Sequence, residues 1–253
     1  MTEWTKPGWA PQAPAGSRIL ITGASGGIGR AVVDMLQDGP GIVIGAHGRD
    51  SSRLSSGPDV HQIIRDIQSE QDASWVVEAF VEAAGGIDGI VVLSGGLSEP
   101  THWQDMGADS WRQDIDVNLS QQFFLARAAL THMADGGRVI MNGTESSLHG
   151  GGSTSLAYGV AKHGVECLVK GLAREVAPRA ITVNGVRLGY IDSGFHGRWQ
   201  NQSEQQQSNR VAKIPLRRAG TVDEAAALIV YLLSEYGAFI TGQMISLAGG
   251  DWL

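Results

Sequence analysis

The stretch Thr22-Gly-Ala-Ser-Gly-Gly-Ile-Gly29 directly follows the β-branched run 18–22 and leads into the apolar segment Arg30-Ala-Val-Val33. Glycines permit a tight turn there and let backbone amides approach a ligand closely. Unsatisfied N–H groups and the helix dipole favour negative charge at a helix start, so the stretch predicts a cradle for a pyrophosphate. The spacing is not Gly-x-Gly-x-x-Gly, because Val32 stands where the third glycine would fall. A glycine-rich turn without a ligand is the alternative. The residues expected to form the cradle are Gly23, Ser25, Gly27, Ile28 and Gly29.

On either side of this stretch, short β-branched runs alternate with longer segments of helical spacing. The predicted strands are 18–22, 41–45, 60–64, 90–93, 138–141, 181–186 and 244–247. The predicted helices are 30–37, 72–84, 111–134, 157–177 and 222–234. This alternation predicts parallel strands joined by right-handed helical crossovers, hence an α/β, Rossmann-like doubly wound sheet of about seven strands covered on both faces. A ligand would bind beyond the carboxyl ends of these strands.

Length and charge narrow the classes of function. The 253 residues suit one dinucleotide-binding catalytic domain over 17–253, preceded by an N-terminal extension over 1–16. A net charge of -7 without a dense basic run argues against a nucleic-acid or membrane surface and favours small-molecule partners. The start lacks the blocks of a signal peptide, and no apolar run is long enough to span a membrane, so the expected location is the cytoplasm.

The single cysteine, Cys167, excludes an internal disulfide. Its setting in Val165-Glu-Cys-Leu-Val169 is apolar, which predicts a buried small side chain rather than a nucleophile. Metal-ligand spacing is found nowhere in the sequence, so we expect no metal site.

A tyrosine and a lysine stand four residues apart in Tyr158-Gly-Val-Ala-Lys162, inside the predicted helix 157–177. Side chains at i and i+4 share a helical face, so the ammonium can lie beside the phenol and favour its ionised form. A free tyrosine has a pKa of about 10, and a lowered pKa would allow proton exchange near neutrality. Taken alone, the spacing is also typical of an ordinary amphipathic surface.

The glycine stretch and the Tyr-x-x-x-Lys pair together resemble the motifs of the short-chain dehydrogenase/reductase family. The resemblance runs from about residue 17 to the C-terminus, and several ordered motifs are more specific than any one of them. It implies a carbonyl reductase or alcohol dehydrogenase that transfers hydride between a nicotinamide and a carbonyl or alcohol carbon. The alternative is a nucleotide-binding sensor or assembly subunit of the same fold that lacks turnover. Further family-like stretches are Asp66-Ile67, Asp116-Val-Asn118-Leu119, Val183-Asn-Gly-Val-Arg-Leu-Gly189, Ile240-Thr-Gly-Gln243 and Gly249-Gly250.

The resemblance also implies roles for single residues. Tyr158 would exchange the proton of the substrate oxygen, and Lys162 would hydrogen-bond the nicotinamide ribose and lower the pKa of Tyr158. Asn118 would hold a water that links Lys162 to solvent. The Ile191 backbone and the Ser193 hydroxyl would hold the nicotinamide carboxamide.

The end of the fourth predicted strand departs from the family. The family usually has Asn-Asn-Ala-Gly there, whereas this chain has Val92 and Leu93 in place of both asparagines. Ser94 and Gly95 can still present their backbone beside the ribose. The resemblance also implies a homotetramer assembled through the long helices 111–134 and 157–177.

Cofactor choice is predicted from the end of the second strand. An acidic side chain there would accept hydrogen bonds from a 2'-hydroxyl, whereas Gly48 leaves room and Arg49 offers a planar fork for a 2'-phosphate. The prediction is therefore NADP(H), with a surface role for Arg49 as the alternative. By resemblance, Asp66 would accept from the adenine amino group and the Ile67 amide would contact the ring, although Asp66 would otherwise be an exposed turn residue. The side chains that could assist with the phosphate are His47 and Arg53.

The substrate-positioning hydroxyl is where the chain departs most from its family. The family's serine commonly lies thirteen residues before the tyrosine, and that position holds Glu145, within Asn142-Gly-Thr-Glu-Ser-Ser147. A one-residue shift would let Ser146 supply the hydroxyl. If Glu145 instead faces the pocket, its carboxylate would repel a developing alkoxide and raise the pKa of Tyr158. Both interpretations stay open.

Substrate identity is expected to lie in the loop 193–214. A long polar segment inside a compact domain is often a mobile lid or a disordered excursion. Its composition does not name a substrate. Its aromatic and basic members include Phe195, His196, Arg198 and Trp199.

Overall fold

The frame of the molecule is a sheet of seven parallel strands, seen in a computed structural model that describes residues 11–195 and 203–251. The strands lie in the order β3-β2-β1-β4-β5-β6-β7, which confirms the predicted doubly wound architecture. Three predicted strands have the observed bounds, and β5 extends well beyond its predicted run. The strands are β1 (Arg18–Thr22), β2 (Val43–Gly48), β3 (Val60–Ile64), β4 (Ile87–Val92), β5 (Met133–Thr144), β6 (Thr182–Leu188) and β7 (Met244–Leu247).

Seven α-helices in the described residues pack on this sheet. They are α1 (Gly27–Gln37), α2 (Glu70–Ala84), α3 (Ala108–Ile115), α4 (Gln121–His132), α5 (Leu156–Val176), α6 (Glu204–Val211) and α7 (Val222–Leu233). Side chains cap several starts: Ser69 accepts from the Asp72 amide at α2, and Thr221 and Glu224 form a reciprocal capping box at α7.

The segment 111–134, predicted as one helix, is interrupted. A π-helical turn, Asp116–Ser120, separates α3 from α4. Such turns place an extra residue in a helix and recur at functional sites. The turn contains Asn118, so the interruption falls on a predicted site residue.

The polar segment predicted as a loop over 193–214 contains helix α6. Ser203 accepts from the Gln206 amide, and the Gln206 side chain accepts from the Ser203 amide. This Ser-x-x-Gln capping box is a helix-start signal that the sequence carries. His196, Arg198 and Trp199 lie outside the described residues.

The core lies on both faces of the sheet, since alternate strand residues point in opposite directions. In β1, Ile19 and Ile21 join the apolar cluster formed with α1 and α7, while Leu20 joins the cluster formed with α2, α4 and α5. The crossovers diverge at β1, and the Leu93 amide donates to the Thr22 carbonyl where β1 and β4 end. This divergence opens the crevice in which a doubly wound sheet binds its ligand.

The prediction of a buried Cys167 is wrong, because its side chain is exposed. Val165 and Val169 are fully buried, but residues two apart on a helix differ by about 200° in direction. Cys167 therefore points away from the sheet although its sequence neighbours are apolar. Among the helices of the described residues, none combines the length and apolar character that crossing a membrane requires.

Candidate active site

A cavity of about 860 Å³ opens at the carboxyl edge of the sheet. Every residue predicted from the sequence for the catalytic or cofactor site lines it. The predictions drawn from separate motifs therefore converge on one place in the fold.

The glycine stretch forms the turn between β1 and α1. Gly23 has a φ of +73°, and a Cβ there would lie 2.7 Å from the Leu93 carbonyl carbon; a Cβ at Gly29 would lie 2.4 Å from the Gly23 carbonyl oxygen. Larger residues would force these segments apart. No side chain caps the start of α1 at Gly26, so its first N–H groups are available to an anion. This arrangement fits a dinucleotide pyrophosphate.

The adenosine end of the cavity lies at the end of β2. A Cβ on Gly48 would lie 3.0 Å from Leu54 Cδ2 and 3.3 Å from Ser25 Oγ, so a larger side chain would crowd the glycine-rich turn. Arg49 and Arg53 are exposed, and neither forms an ion pair with another described residue. Two unpaired guanidinium groups beside a glycine suit a phosphate at this position.

Two predicted contacts with the adenine ring lie in the turn after β3. The Asp66 carboxylate accepts from Gln68 Nε2 at 2.8 Å, and the Ile67 carbonyl accepts from Gln121 Nε2 at 2.9 Å. Gln121 thereby fixes the Ile67 peptide at the cavity wall.

His47, at the end of β2, is 3 % exposed. Its Nε2 lies 2.9 Å from the Arg65 carbonyl oxygen, while Nδ1 has no partner within the described residues. Burial lowers the pKa of His47, so the imidazole is neutral and donates through Nε2.

The tyrosine and lysine both come from α5. Lys162 is 1 % exposed, and its Nζ donates to the Asn142 carbonyl at 3.0 Å. That nitrogen lies 5.8 Å from the centre of the Tyr158 ring. Burial lowers the pKa of Lys162 to about 7, because desolvation disfavours the ammonium.

The predicted lowering of the Tyr158 pKa by Lys162 is not found within the protein. The pKa of Tyr158 is raised to about 12, because desolvation, with a smaller contribution from the Asp114 carboxylate, outweighs the lowering effect of the Thr144 hydroxyl. A phenol with this pKa is protonated at neutral pH.

The hydroxyl that lowers the pKa of Tyr158 belongs to Thr144, a lining residue of the cavity that the sequence predictions did not include. It ends β5, and its Oγ1 lies 3.2 Å from Ser146 Oγ and 3.3 Å from the Leu188 carbonyl oxygen. Thr144 stands fourteen residues before the tyrosine rather than thirteen. The predicted strand ended at Met141, three residues before Thr144, so the only signal was the general expectation that a ligand binds beyond the carboxyl ends of the strands.

Glu145 and Ser146, the two candidates for the hydroxyl position, differ in placement. The Glu145 carboxylate is buried and accepts from the Ser246 hydroxyl on β7, and it lies 4.0 Å from Arg187 Nε on β6. Ser146 is half-buried and lines the cavity, and its Oγ lies 3.2 Å from Thr144 Oγ1.

Asn118 is fully buried, and its amide is committed to backbone groups. Oδ1 accepts from the Gly96 amide at 3.2 Å, and Nδ2 donates to the carbonyls of Gly96 at 2.7 Å and Asp114 at 3.0 Å. The side chain therefore fastens the loop after β4 to the π-helical turn. The Asn118 carbonyl accepts from Gln122 Nε2 at 2.9 Å.

Gln122 is a second residue that the sequence predictions missed. It is fully buried, and its Nε2 also donates to the Asn142 carbonyl at 3.0 Å while its Oε1 accepts from the Asn142 amide at 3.1 Å. A glutamine on the buried face of an otherwise apolar helix was the available signal.

The remaining wall is formed by the segment after β6 and by α6. Ile191 bridges to Gly220, and the Ser193 amide donates to the Ile191 carbonyl at 2.8 Å. On α6, Arg210 Nη1 donates to Asp251 Oδ1 at 2.8 Å. The ring of Phe195 lies 6.5 Å from that of Tyr158, so an aromatic surface borders the reactive hydroxyl. Among the described residues, no cluster of three His, Cys, Asp or Glu side chains could hold a metal ion.

The chain is similar to known proteins over most of its length. The family model described as Enoyl-(Acyl carrier protein) reductase matches residues 23–251. The 3-oxoacyl-[acyl-carrier-protein] reductase FabG of Pseudomonas aeruginosa is 32% identical over 248 residues, covering 94% of this chain and 98% of the relative. The FabG protein of Escherichia coli is 31% identical over 244 residues, with the same shares covered.

Two solved structures have a similar fold. A short-chain dehydrogenase/reductase from Brucella melitensis, titled glucose/ribitol dehydrogenase, has a TM-score of 0.83 at 27% identity and covers 94% of this chain and 98% of its own. A short-chain dehydrogenase/reductase from Serratia marcescens has a TM-score of 0.83 at 25% identity, covering 94% and 99%.

Proposed function

The chain belongs to the short-chain dehydrogenase/reductase family of oxidoreductases, and on that premise we propose that it is an NADP(H)-dependent carbonyl reductase. The observation that carries the proposal is that Tyr158, Thr144 and the buried Lys162 line one cavity at the carboxyl edge of the sheet, with Lys162 Nζ 5.8 Å from the centre of the Tyr158 ring. The Tyr158 phenol, the Thr144 hydroxyl and the Lys162 amine therefore lie in the wall of the same cavity.

Reduction is the direction that the protonation state favours. A phenol with a pKa of about 12 enters the reaction with its proton and can give it to a carbonyl oxygen. The Thr144 hydroxyl, which donates to the Leu188 carbonyl at 3.3 Å in this structure, would turn its one proton toward that oxygen as negative charge develops. A reduced nicotinamide held in this cavity would supply the hydride for the carbonyl carbon. The phenolate left behind takes a proton from solvent, so the products are an alcohol and the oxidised cofactor.

Lys162 and Asn118 support this centre. The Lys162 ammonium binds the nicotinamide ribose and favours the phenolate that forms, while Asn118 holds the loop that carries Ser94 and Gly95 against the ribose. Ile191 and Ser193 hold the carboxamide. In this proposal Thr144 takes the role for which Ser146 and Glu145 were the candidates.

The preference for NADP(H) rests on the end of β2. The crowded space at Gly48 disfavours an acidic side chain, and the unpaired Arg49 and Arg53 complement a 2'-phosphate. Asp66 and the Ile67 amide receive the adenine ring.

The substrate class is proposed from the relatives, which are named as reductases of 3-oxoacyl groups on acyl carrier protein. We expect a 3-oxoacyl thioester, with its ketone between Thr144 and Tyr158 and its acyl chain against Phe195. The name of the matching family model suggests enoyl reduction instead. The names of these relatives carry the choice of the ketone, because an enoyl thioester also has a carbonyl oxygen that can accept two hydrogen bonds.

The test is the loss of NADPH absorbance with acetoacetyl-CoA, crotonyl-CoA and simple ketones, for wild type and Tyr158→Phe. Turnover of the ketone that depends on Tyr158 supports the proposal. Turnover of crotonyl-CoA alone would replace it with enoyl reduction. Tight NADPH binding without turnover on any probe would favour the alternative of a nucleotide-binding subunit.

Assembly as a homotetramer, a cytoplasmic location and a single domain over 17–253 stay predictions. Support for assembly comes from α5, where the exposed face carries Leu156, Val160 and Cys167 at helical spacing. Mass measurement by light scattering would test the number of subunits.

A further inference from the structure

The carboxyl end of β5 places two consecutive side chains in different surroundings. Thr144 has extended backbone, with φ of -145° and ψ of 143°, and it lines the same cavity as Tyr158. Glu145 begins the 3-10 turn that follows, and its carboxylate contacts β6 and β7. Both side chains line the cavity, and the carboxylate of Glu145 is in addition held by its contacts with β6 and β7.

The Glu145 carboxylate belongs to a buried ionic cluster. Arg187 lies between two acids, with Nε 4.0 Å from Glu145 and Nη1 3.5 Å from Glu166 on α5, and the side chains are 19%, 5% and 13% exposed for Arg187, Glu145 and Glu166. Ser246 donates to Glu145, and Arg187 Nη2 donates to the Met244 carbonyl at 3.3 Å. The cluster thus joins the turn after β5 to β6, β7 and α5.

Charges this well buried hold their position only where partners compensate them. Glu145 accepts a hydrogen bond from Ser246 on β7 and lies near the charge of Arg187 on β6, whose Nε has no hydrogen-bond partner among the described residues, so a movement of the turn would disturb contacts with two strands. The peptide between Thr144 and Glu145 is then fixed from both sides, by the strand ladder before it and by the carboxylate after it.

We propose that Glu145 is a positioning residue: it holds the end of β5 so that the Thr144 hydroxyl lies beside Tyr158 in the cavity wall. This inference rests on the proposed function. It also gives the acid at this position, which lines the cavity, a role that requires no contact with substrate.

The test is a double-mutant cycle measured with NADPH and acetoacetyl-CoA. We expect Glu145→Ala to lower kcat by about 10- to 100-fold, less than complete loss of an oxyanion donor, with the Kd for NADPH within about 2-fold of wild type. In a Thr144→Val background the same change should have no further effect on kcat, because Glu145 acts through that hydroxyl. A merely structural role would make the two losses additive and would overturn the proposal.

Two further variants keep the test sharp. Glu145→Gln retains an acceptor for Ser246 and should restore most of kcat, and it replaces Glu145→Ala in the cycle if that variant fails to fold. Asp88→Asn breaks the ion pair with Arg18, which lies at the amino ends of β1 and β4, away from the cavity. It should lower stability without changing kcat. Loss of kcat equal to that of Glu145→Ala in this control would overturn the proposal.

Failure of the proposed function is recognised separately, since wild type would then show no turnover dependent on Tyr158. Crystal structures of wild type and Glu145→Gln or Glu145→Ala still decide the positioning role. Displacement of the Thr144 hydroxyl from Tyr158 supports it, and an unmoved hydroxyl overturns it.

Discussion

Gln122 and Lys162 donate hydrogen bonds to the same carbonyl oxygen, that of Asn142, from two different helices. Both side chains are essentially inaccessible to solvent. The buried lysine is therefore oriented by a strand carbonyl that a glutamine holds in place.

Gln122→Leu is expected to destabilise the fold and to lower kcat. The change leaves the Asn142 amide and the Asn118 carbonyl without this partner, at about 1–3 kcal/mol for each buried group. Urea denaturation and NADPH kinetics measure the two effects. Gln71→Leu, at an exposed position on α2, should stay within about 0.5 kcal/mol of wild type. Equal stability of the two variants would contradict the prediction.

Thr144→Val is expected to lower kcat by roughly 10²- to 10³-fold, since it removes the hydroxyl that lies beside Tyr158 in the cavity wall without changing side-chain size much. Thr144→Ser should retain most activity. Ser146→Ala tests the competing candidate. It should lower kcat far less than Thr144→Val does, because the proposal gives the substrate contact to Thr144 and leaves Ser146 as a neighbour of that hydroxyl, 3.2 Å away. A larger loss for Ser146→Ala than for Thr144→Val would return the role to Ser146.

Arg49→Ala is expected to weaken NADPH binding by about 10- to 100-fold, the range of a lost charge-assisted hydrogen bond, and to leave NADH binding unchanged. Fluorescence titration with both cofactors gives the ratio. Arg30→Ala provides a control, since Arg30 is also exposed but donates to the Ser25 carbonyl. Equal weakening of NADH and NADPH by Arg49→Ala would refute a 2'-phosphate contact.

Lys162 should make stability depend on pH between about 7 and the unfolded value near 10.5. In that window the unfolded chain binds the proton that the folded chain has released, so stability rises with pH. Lys162→Met removes the cost of burying the charge and should be more stable than wild type at pH 7, by roughly 3–5 kcal/mol at most. Urea denaturation should show the difference disappearing as pH approaches 10. A difference independent of pH would indicate a packing effect instead.

Cys167 should report on assembly through α5, because its thiol is exposed on the isolated chain. A thiol reagent is expected to react quickly with diluted monomer and slowly with the oligomer. Rapid reaction in a sample that light scattering shows to be a tetramer would exclude this face from the interface.

The order of the sheet could be predicted because its cause is local. Alternating β-branched and helical segments define parallel crossovers, and the glycines after Thr22 mark the turn where the sheet diverges. The π-helical turn at Asn118 could not be predicted, since a helix with one extra residue keeps nearly the same apolar pattern. Cys167 shows the same limit, because its direction depends on helical phase rather than on the polarity of its neighbours.

The hydroxyl position shows why spacing fails where a loop intervenes. Counting thirteen residues back from Tyr158 assumes a connection of fixed length, whereas the hydroxyl that we propose stands fourteen residues before the tyrosine. The position of Thr144 is set by its pairing with Leu188 on β6. The number of residues between the strand and the tyrosine does not change that position. The partners of Glu145 lie on β6 and β7, far along the chain, so no local pattern indicates them.

Strand β5 makes the enzyme sensitive to a kind of mutation that substitutions do not probe. Asn142 and Thr144 lie two residues apart on one face, with Gly143 between them, and the strand pairs with β6 through Thr144. Deleting one residue near the end of β5 would exchange the two faces and bring the Glu145 carboxylate to the tyrosine. Insertions and deletions before this point should therefore be tolerated only toward the start of the strand, where an irregular pairing with β4 already absorbs a change of register.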